Sequence, residues 1–378
     1  MLGPVYYYVI IGGGMAGLQL ALRLKNDVFF KGKKIAIIDP SFSVKKDTTW
    51  CFWEKETGQW DKLITKSWKE GNFKSSLGSQ HLKLSPYRYK MLTSERFYKY
   101  TLAEIKNSKH FDLIEDEISE IDAVKMEAIG KNKTYKGTHF FDSRVPSEYF
   151  ETENYTKLYQ HFKGYKISTE KPIFNPEKFL MMDFRLKYKN STSFTYILPT
   201  STTEALIEYT FFTPYITEEA IYDKQLKEYI ANFLKIDSYT VLQEEEGIIP
   251  MTDFPFEKNN TSEITKIGTG GGWVKPSTGY AFKNTERKIS KIIENIKSGK
   301  EISKDLFQKK FQLYDRIFLD VLARRNDKGE KIFTDFYKKN TVDEIFRYLD
   351  EKTSIKEDLK IMFSLFDPEF IKSFFRKF

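Results

Sequence analysis

The chain is 378 residues long and carries 61 Lys and Arg against 53 Asp and Glu, a net charge of +8. That length calls for two or three lobes around shared cores. The modest, evenly mixed positive excess suits an anionic membrane surface and forms no nucleic-acid groove signature. Cys51 is the single cysteine, which excludes intrachain disulfides and Cys-rich metal sites, and the four scattered histidines lack ligand spacing, so no metal is expected. The first residues show no charged region or cleavage site of a signal peptide. No apolar run reaches the roughly 18 residues of a membrane span.

Residues 5–11, V-Y-Y-Y-V-I-I, read as a strand buried on both faces, because such strands are almost continuously apolar. The run breaks at Gly12-x-Gly14-x-x-Gly17 and continues as a helix through Leu18, Leu20, Ala21, Leu22 and Leu24. A second apolar strand, residues 35–38, ends in Asp39. Strand, glycine turn, helix, strand and acid at this spacing form a dinucleotide fingerprint. Gly12 permits the tight turn, Gly14 lets backbone approach a pyrophosphate, and Gly17 lets helix pack on strand. The helix N-terminus then offers free N–H groups to the phosphates, and Asp39 stands where a ribose hydroxyl pair would be held.

Trp50, Trp53, Trp60 and Trp68 follow closely, a patch suited equally to an apolar pocket and to the core of a small subdomain. Residues 84–94 alternate like a strand, and residues 95–105 read as a helix with Ser94 as N-cap. Short strands are expected at 111–121 and 124–129, and another closes at Asp142. From 155 to about 242 longer alternating runs predict an antiparallel sheet, interrupted by one amphipathic helix at 218–234. Residues 264–282 then read as a strand, a glycine-rich turn and a helix beginning near Thr278, a second place for phosphate or a flavin edge to meet backbone. Everything from 301 onward reads helical. The terminal F-I-K-S-F-F-R-K-F suits either a docked amphipathic helix or an interfacial one.

Several blocks together resemble the bacterial, flavin-dependent lycopene β-cyclases within the glutathione-reductase-like flavoproteins. They are D-T-T-W-C-F-W-E (47–54), Y-R-Y-K-M-L-T-S-E-R-F-Y (87–98), F-D-S-R (141–144), Q-H-F-K-G-Y (160–165), M-D-F-R (182–185), A-L-I-E-Y-T (205–210) and G-T-G-G-G-x-x-K-P-S-T-G-Y (268–280). The likeness is collinear from residue 5 to about 325. It implies an α/β fold: a Rossmann-like FAD-binding domain of glutathione-reductase type (1–50, 85–150 and 245–300), an antiparallel β-sheet substrate lobe (51–84 and 151–244) and a helical C-terminal region (301–378). Hydroxylases of this fold usually carry Arg at the position of Ser94 and Asp at that of Thr269; both are absent here, as in the cyclase branch.

The resemblance implies bound FAD, active when reduced, with NAD(P)H as external reductant and no dedicated NAD(P)H domain. Gly268, Gly271, Pro276, Thr278 and Gly279 join Gly12, Gly14, Gly17 and Asp39 as cofactor-binding candidates. The substrate is lycopene or a related carotenoid with a ψ end. Such a hydrocarbon resides in bilayers, so a cytoplasmic protein docked peripherally on the membrane is expected. Cyclisation needs an acid, a dry pocket for a carbocation and a base. Read from its strand alone, Glu208 would be a solvent-facing residue; the resemblance makes it the acid, with desolvation keeping it protonated. Asp183 is the second candidate, orienting Glu208 or acting as base, unless it simply pairs with Arg185 on its own face. The run Glu244-Glu245-Glu246 reads as a solvated turn. The competing readings are a monooxygenase or prenyl reductase of the same fold, and a non-catalytic flavin-binding carotenoid carrier.

Overall fold

The computed structural model describes residues 4–43, 48–55, 57–365 and 367–377. The chain opens with β1 (Tyr8–Ile11), α1 (Met15–Asn26) and β2 (Ile35–Asp39). Then come β3 (Thr49–Glu54), β4 (Glu70–Ser75), β5 (Gly78–Lys83), β6 (Arg88–Thr93), α2 (Ser94–Lys106), β7 (Phe111–Glu115) and β8 (Phe140–Asp142). The long strands are β9 (Lys157–Ser168), β10 (Lys178–Asp183), β11 (Ser193–Pro199), β12 (Glu204–Thr213) and β13 (Thr240–Thr252), with α3 (Glu219–Asn232) before the last. β14 (Ile264–Lys266) leads into the glycine-rich turn and α4 (Phe282–Lys297). Helices α5 (Lys309–Arg324), α6 (Gly329–Lys339), α7 (Val342–Leu349), α8 (Ile355–Ser364) and α9 (Pro368–Lys377) follow.

Strands β14-β8-β1-β2-β7 form a parallel sheet in that order. Period-2 alternation gives it two apolar faces. Tyr8, Ile10, Ile35, Ile37 and Phe141 pack under α1, α2 and α4. Val9, Ile11, Ala36, Ile38 and Phe140 pack under the antiparallel meander between residues 118 and 137. Fully burying side chains of this size stabilises the fold by about 1.5–3 kcal/mol each.

The second sheet runs β13-β9-β12-β11-β10-β4-β5. It is antiparallel except where β10 meets β4 in parallel, so the expected antiparallel sheet is a mixed one. Ile207, Tyr209 and Phe211 of β12 face α3. Leu206 and Phe212, with the opposite parity, face the C-terminal helices. Glu208 and Thr210 share that second face.

Three sequence expectations are corrected. α4 begins at Phe282 rather than near Thr278, because the Thr278 and Gly279 N–H groups donate to Lys275 O at 3.2 and 2.9 Å and close a turn first. Ser94 is the first residue of α2, not its cap; Thr93 holds the N-cap position, and the Ser94 hydroxyl accepts from Thr48 N at 3.2 Å. Residues 244–246 are no turn: β13 pairs with β9 through all three. Asp47, at the head of the D-T-T-W-C-F-W-E block, lies outside the described residues.

Candidate functional site

At the first glycine cluster, Gly12 has φ +109°, and a Cβ there would lie 1.9 Å from Ser143 Oγ. A Cβ on Gly17 would lie 2.0 Å from the Gly12 carbonyl oxygen, so only glycine lets α1 pack on its own loop. Gly14 is the N-cap of α1, and a Cβ there would meet nothing within 4 Å, leaving open space before the helix N-terminus. Asp39 ends β2 and shapes this loop: its Oδ2 accepts from Gly13 N at 2.7 Å and its Oδ1 from Ser41 N at 3.0 Å.

The second cluster starts at Gly268, with φ +61°, against Ala16 of α1 and Ser143 just after β8. Gly271 lies against the Lys266 carbonyl, and Gly279, at φ +74°, against the Gln160 side chain. Lys275 pins the Pro276–Thr278 turn to the C-terminal helices: its buried ammonium pairs with Asp315 at 3.0 Å and Glu351 at 3.2 Å. Gln160 Oε1 faces this turn without a hydrogen-bond partner.

One cavity of about 1140 Å3 runs from Met15, at the first turn of α1, past Thr278 and Glu208 to Phe375 on α9. Its inner wall is the face of the mixed sheet that carries Glu208. Gly164 at the centre of β9 is paired with Glu208 on one side and Glu245 on the other. A Cβ on Gly164 would come within 2.7 Å of Glu208 Cγ and 3.3 Å of Glu245 Cγ. The missing side chain therefore makes the space in which the two carboxyl groups meet.

Both glutamates are buried, at 8% and 7% exposure. They hydrogen-bond each other, and Glu245 Oε2 also accepts from Thr49 Oγ1 at 2.8 Å. Burial raises the Glu208 carboxyl well above its ordinary range, and the Glu245 charge and hydrogen bond push it the same way. Glu245 was missed in the sequence because three consecutive glutamates look solvated. In the strand, Glu244 and Glu246 are exposed and only Glu245 is buried. The signal was the lone glycine in the bulky run Q-H-F-K-G-Y-K-I.

Beside the pair, Tyr196 lies opposite Glu208 in β11. Its hydroxyl bonds Tyr89 OH at 2.8 Å, which bonds Tyr280 OH at 2.8 Å. This half-buried chain joins β11, β6 and the end of the second glycine cluster along one cavity wall. Its ring faces can stabilise positive charge, and no sequence spacing foretells it.

Asp183 is not brought to Glu208. Its register partners lead through Thr195 to Tyr209, the face covered by α3, whereas Glu208 points to the opposite face. There Asp183 Oδ2 accepts from Arg185 Nη2 and Tyr229 OH, each at 2.6 Å. Burial alone would raise this carboxyl, but Arg185 and Tyr229 outweigh it and hold it below its ordinary value. The alternative pairing with Arg185 is the one formed. Among the described residues no cluster of three His, Cys, Asp or Glu is placed to hold a metal ion.

Residues 8–374 match the family model described as lycopene cyclase protein. A lycopene beta-cyclase of Pantoea ananas is 23% identical over 296 residues, covering 74% of this chain and 72% of that protein. The structure of a geranylgeranyl bacteriochlorophyll reductase-like protein from Thermoplasma acidophilum superposes with a TM-score of 0.62 at 12% identity, covering 99% of both chains. A tryptophan halogenase from Shewanella frigidimarina gives 0.60 at 11% identity, covering 99% of this chain and 94% of that one. At such identities the likeness is one of fold. It is the glutathione-reductase-type fold of FAD-dependent enzymes expected from the sequence, with mixed sheets and C-terminal helices. The residues present fit FAD: open space lies before the α1 N-terminus, the two glycine clusters adjoin, and an unpartnered acceptor on Gln160 faces the cavity.

The two acids separate by experiment. Native Glu208 keeps its proton where the unfolded chain releases it near 4.5, so its contribution to stability is complete below that pH and is lost as pH rises toward the raised native value. Glu208→Gln abolishes this loss, and urea midpoints of the two proteins, compared across pH, diverge upward from about pH 4.5 in favour of the variant. Asp183→Asn behaves in the opposite way: breaking charged hydrogen bonds beside a partly exposed Arg185 lowers the urea midpoint at neutral pH, by about 1–3 kcal/mol in stability.

Proposed function

Since the chain belongs to the lycopene cyclase family, we propose that it is an FAD-dependent lycopene β-cyclase, closing the ψ end groups of an acyclic carotenoid into β rings without net oxidation. The observation that carries this reading is the buried Glu208–Glu245 pair, whose Glu208 lies on the wall of a cavity lined mainly by apolar and aromatic side chains. Glu208 is the proton donor to an alkene carbon. Glu245, with Thr49 holding its other side, keeps the proton on Glu208 until an end group arrives. Because the reaction is an isomerisation, the proton given at one carbon equals the proton lost from a neighbouring one. Donation leaves both glutamates charged beside the new cation, and the pair is then the base that takes a proton from the neighbouring carbon; Asp183 has no part in the exchange.

Between these steps the end group bears positive charge and must meet no water. The rings of Tyr196, Tyr89 and Tyr280 and the apolar C-terminal helices surround it, and the buried carboxylate offsets its charge. FAD would be held at its pyrophosphate by the α1 N-terminus with Gly12 and Gly14, at its ribose by Asp39, and toward the flavin by Gly268, Gly271, Pro276, Thr278 and Gly279. When bound and reduced, with NAD(P)H as external reductant, it supplies an electron-rich ring beside the developing charge. Gly17 acts indirectly, by letting α1 approach the loop.

The direct test is anaerobic incubation of purified protein with FAD, NADPH and lycopene in liposomes, followed by chromatography and mass measurement. Conversion to γ- and β-carotene at unchanged mass is expected; a product heavier by hydrogen or oxygen would make the protein a reductase or oxygenase instead. Glu208→Gln is expected to bind FAD normally and lose about 10²–10⁴-fold in cyclisation. Gly164→Ala, which drives a methyl into Glu208 Cγ, is expected to retain FAD and lose about 10²-fold through misplacement of the acid. Substantial turnover by Glu208→Gln would remove Glu208 from its role.

A further inference from the structure

The last two helices sit on the body largely by their polar sides. Asp358 of α8 is fully buried and accepts from Lys310 Nζ at 2.8 Å and Thr353 Oγ1 at 2.5 Å. Asp367, just before α9, pairs with Lys328 at 2.8 Å. In α9, buried Ser373 donates to Ile317 O at 3.2 Å, and Arg376 forms two bonds to Asp320 at 2.6 and 3.0 Å. Ile361 is the buried apolar residue of α8.

Large apolar side chains instead face outward. Ile355, Leu359 and Phe363 form an i, i+4, i+8 stripe along α8, at 69%, 48% and 70% exposure. Ile371 and Phe375 do the same on α9, at 45% and 78%. Leu359, Phe363, Ile371 and Phe375 also line the cavity that holds Glu208, so the two stripes form the rim of its opening. Charge is sorted as well. The acids of this segment turn inward or pair: Asp358, Asp367 and Glu369 side chains are 0%, 11% and 15% exposed, and Glu357, at 31%, pairs with Arg347. Lys360 and Lys372 pair with Glu344 and Glu369 yet stand 55% and 63% exposed, and Lys356 is exposed.

Apolar side chains ringed by lysines are the composition of an element lying in a bilayer interface. A protein partner would have to leave the cavity opening free, whereas a bilayer opens directly into it. We propose that α8 and α9 are the surface by which this protein seats on an anionic lipid bilayer, Phe363, Ile371 and Phe375 entering the acyl boundary around the cavity opening. Lys356, Lys360 and Lys372 lie at headgroup level. An apolar chain then passes from the bilayer into the cavity without crossing water, a role that rests on the cyclase reading above.

The test is co-sedimentation of the full chain with vesicles of phosphatidylcholine containing 30% phosphatidylglycerol, and with phosphatidylcholine alone, at low and high salt. Wild type is expected to bind the anionic vesicles more tightly, and less so at high salt. Phe363→Glu/Ile371→Glu/Phe375→Glu is expected to lose at least about 10-fold in vesicle partitioning, because charges at the acyl boundary oppose insertion. Lys356→Glu/Lys372→Glu is expected to erase the preference for anionic lipid. Val124→Glu, on the meander over the parallel sheet, is expected to bind as wild type. Circular dichroism and retained flavin absorbance confirm that each variant folds. Wild-type protein left in the supernatant, or a triple variant that binds undiminished, overturns the proposal, as does a wild-type dimer that the triple variant disperses without any vesicle binding. No carotenoid or reductant is present, so the cyclase reading stands or falls separately, by product analysis.

Discussion

Two carboxyl groups in contact inside a dry sheet cannot both be charged unless a cation stands beside them, and that constraint organises the site. Glu208 and Glu245 come from strands on either side of β9, and they meet only because residue 164 has no side chain. Water that would let both ionise is excluded by the bulky face around them. The pair therefore holds a proton that an isolated glutamate would give up. An acid of that kind, poised against a large cavity, is what protonation of an unactivated alkene requires.

The cavity itself belongs to no single lobe. Its inner wall is the mixed sheet, one end lies at the first turn of α1, and the far side is made by helices that come last in sequence. Lys275 joins these parts. Its buried ammonium faces Asp315 on α5 and Glu351 just after α7, while its backbone carbonyl closes the turn that includes Thr278 and Gly279. A turn that would otherwise hang from the parallel sheet is held by the helices that close the substrate side. The tyrosine chain through Tyr196, Tyr89 and Tyr280 ties the same turn to both β-structures from within. Position of the nucleotide end and shape of the apolar end are thus mechanically linked.

The two buried acids of the mixed sheet illustrate why residue type alone does not assign a role. Asp183 and Glu208 lie on near-neighbour strands, and both are enclosed. One faces a guanidinium and a phenol and is held ionised; the other faces a second carboxyl and is held protonated. The sign of the shift follows the partner, and the partner follows from which face of the sheet a strand position occupies.

Local chemistry made much of this molecule legible in advance. A continuous apolar strand, three glycines at fixed spacing, an apolar helix and a terminal acid dictate a β–α–β unit, because Gly12 and Gly17 each occupy a place where a Cβ would collide. Alternation along 204–213 likewise places Glu208 on one face with Leu206 and Phe212. What the sequence could not supply is which strands become neighbours. The partnership of Glu208 with Glu245, the isolation of Asp183 behind Arg185, the start of α4 at Phe282 and the apolar stripes on α8 and α9 arise from contacts between residues far apart in the chain. Pairing register and helix docking decide those contacts, and a one-residue change of face is enough to turn a solvated glutamate into a buried acid.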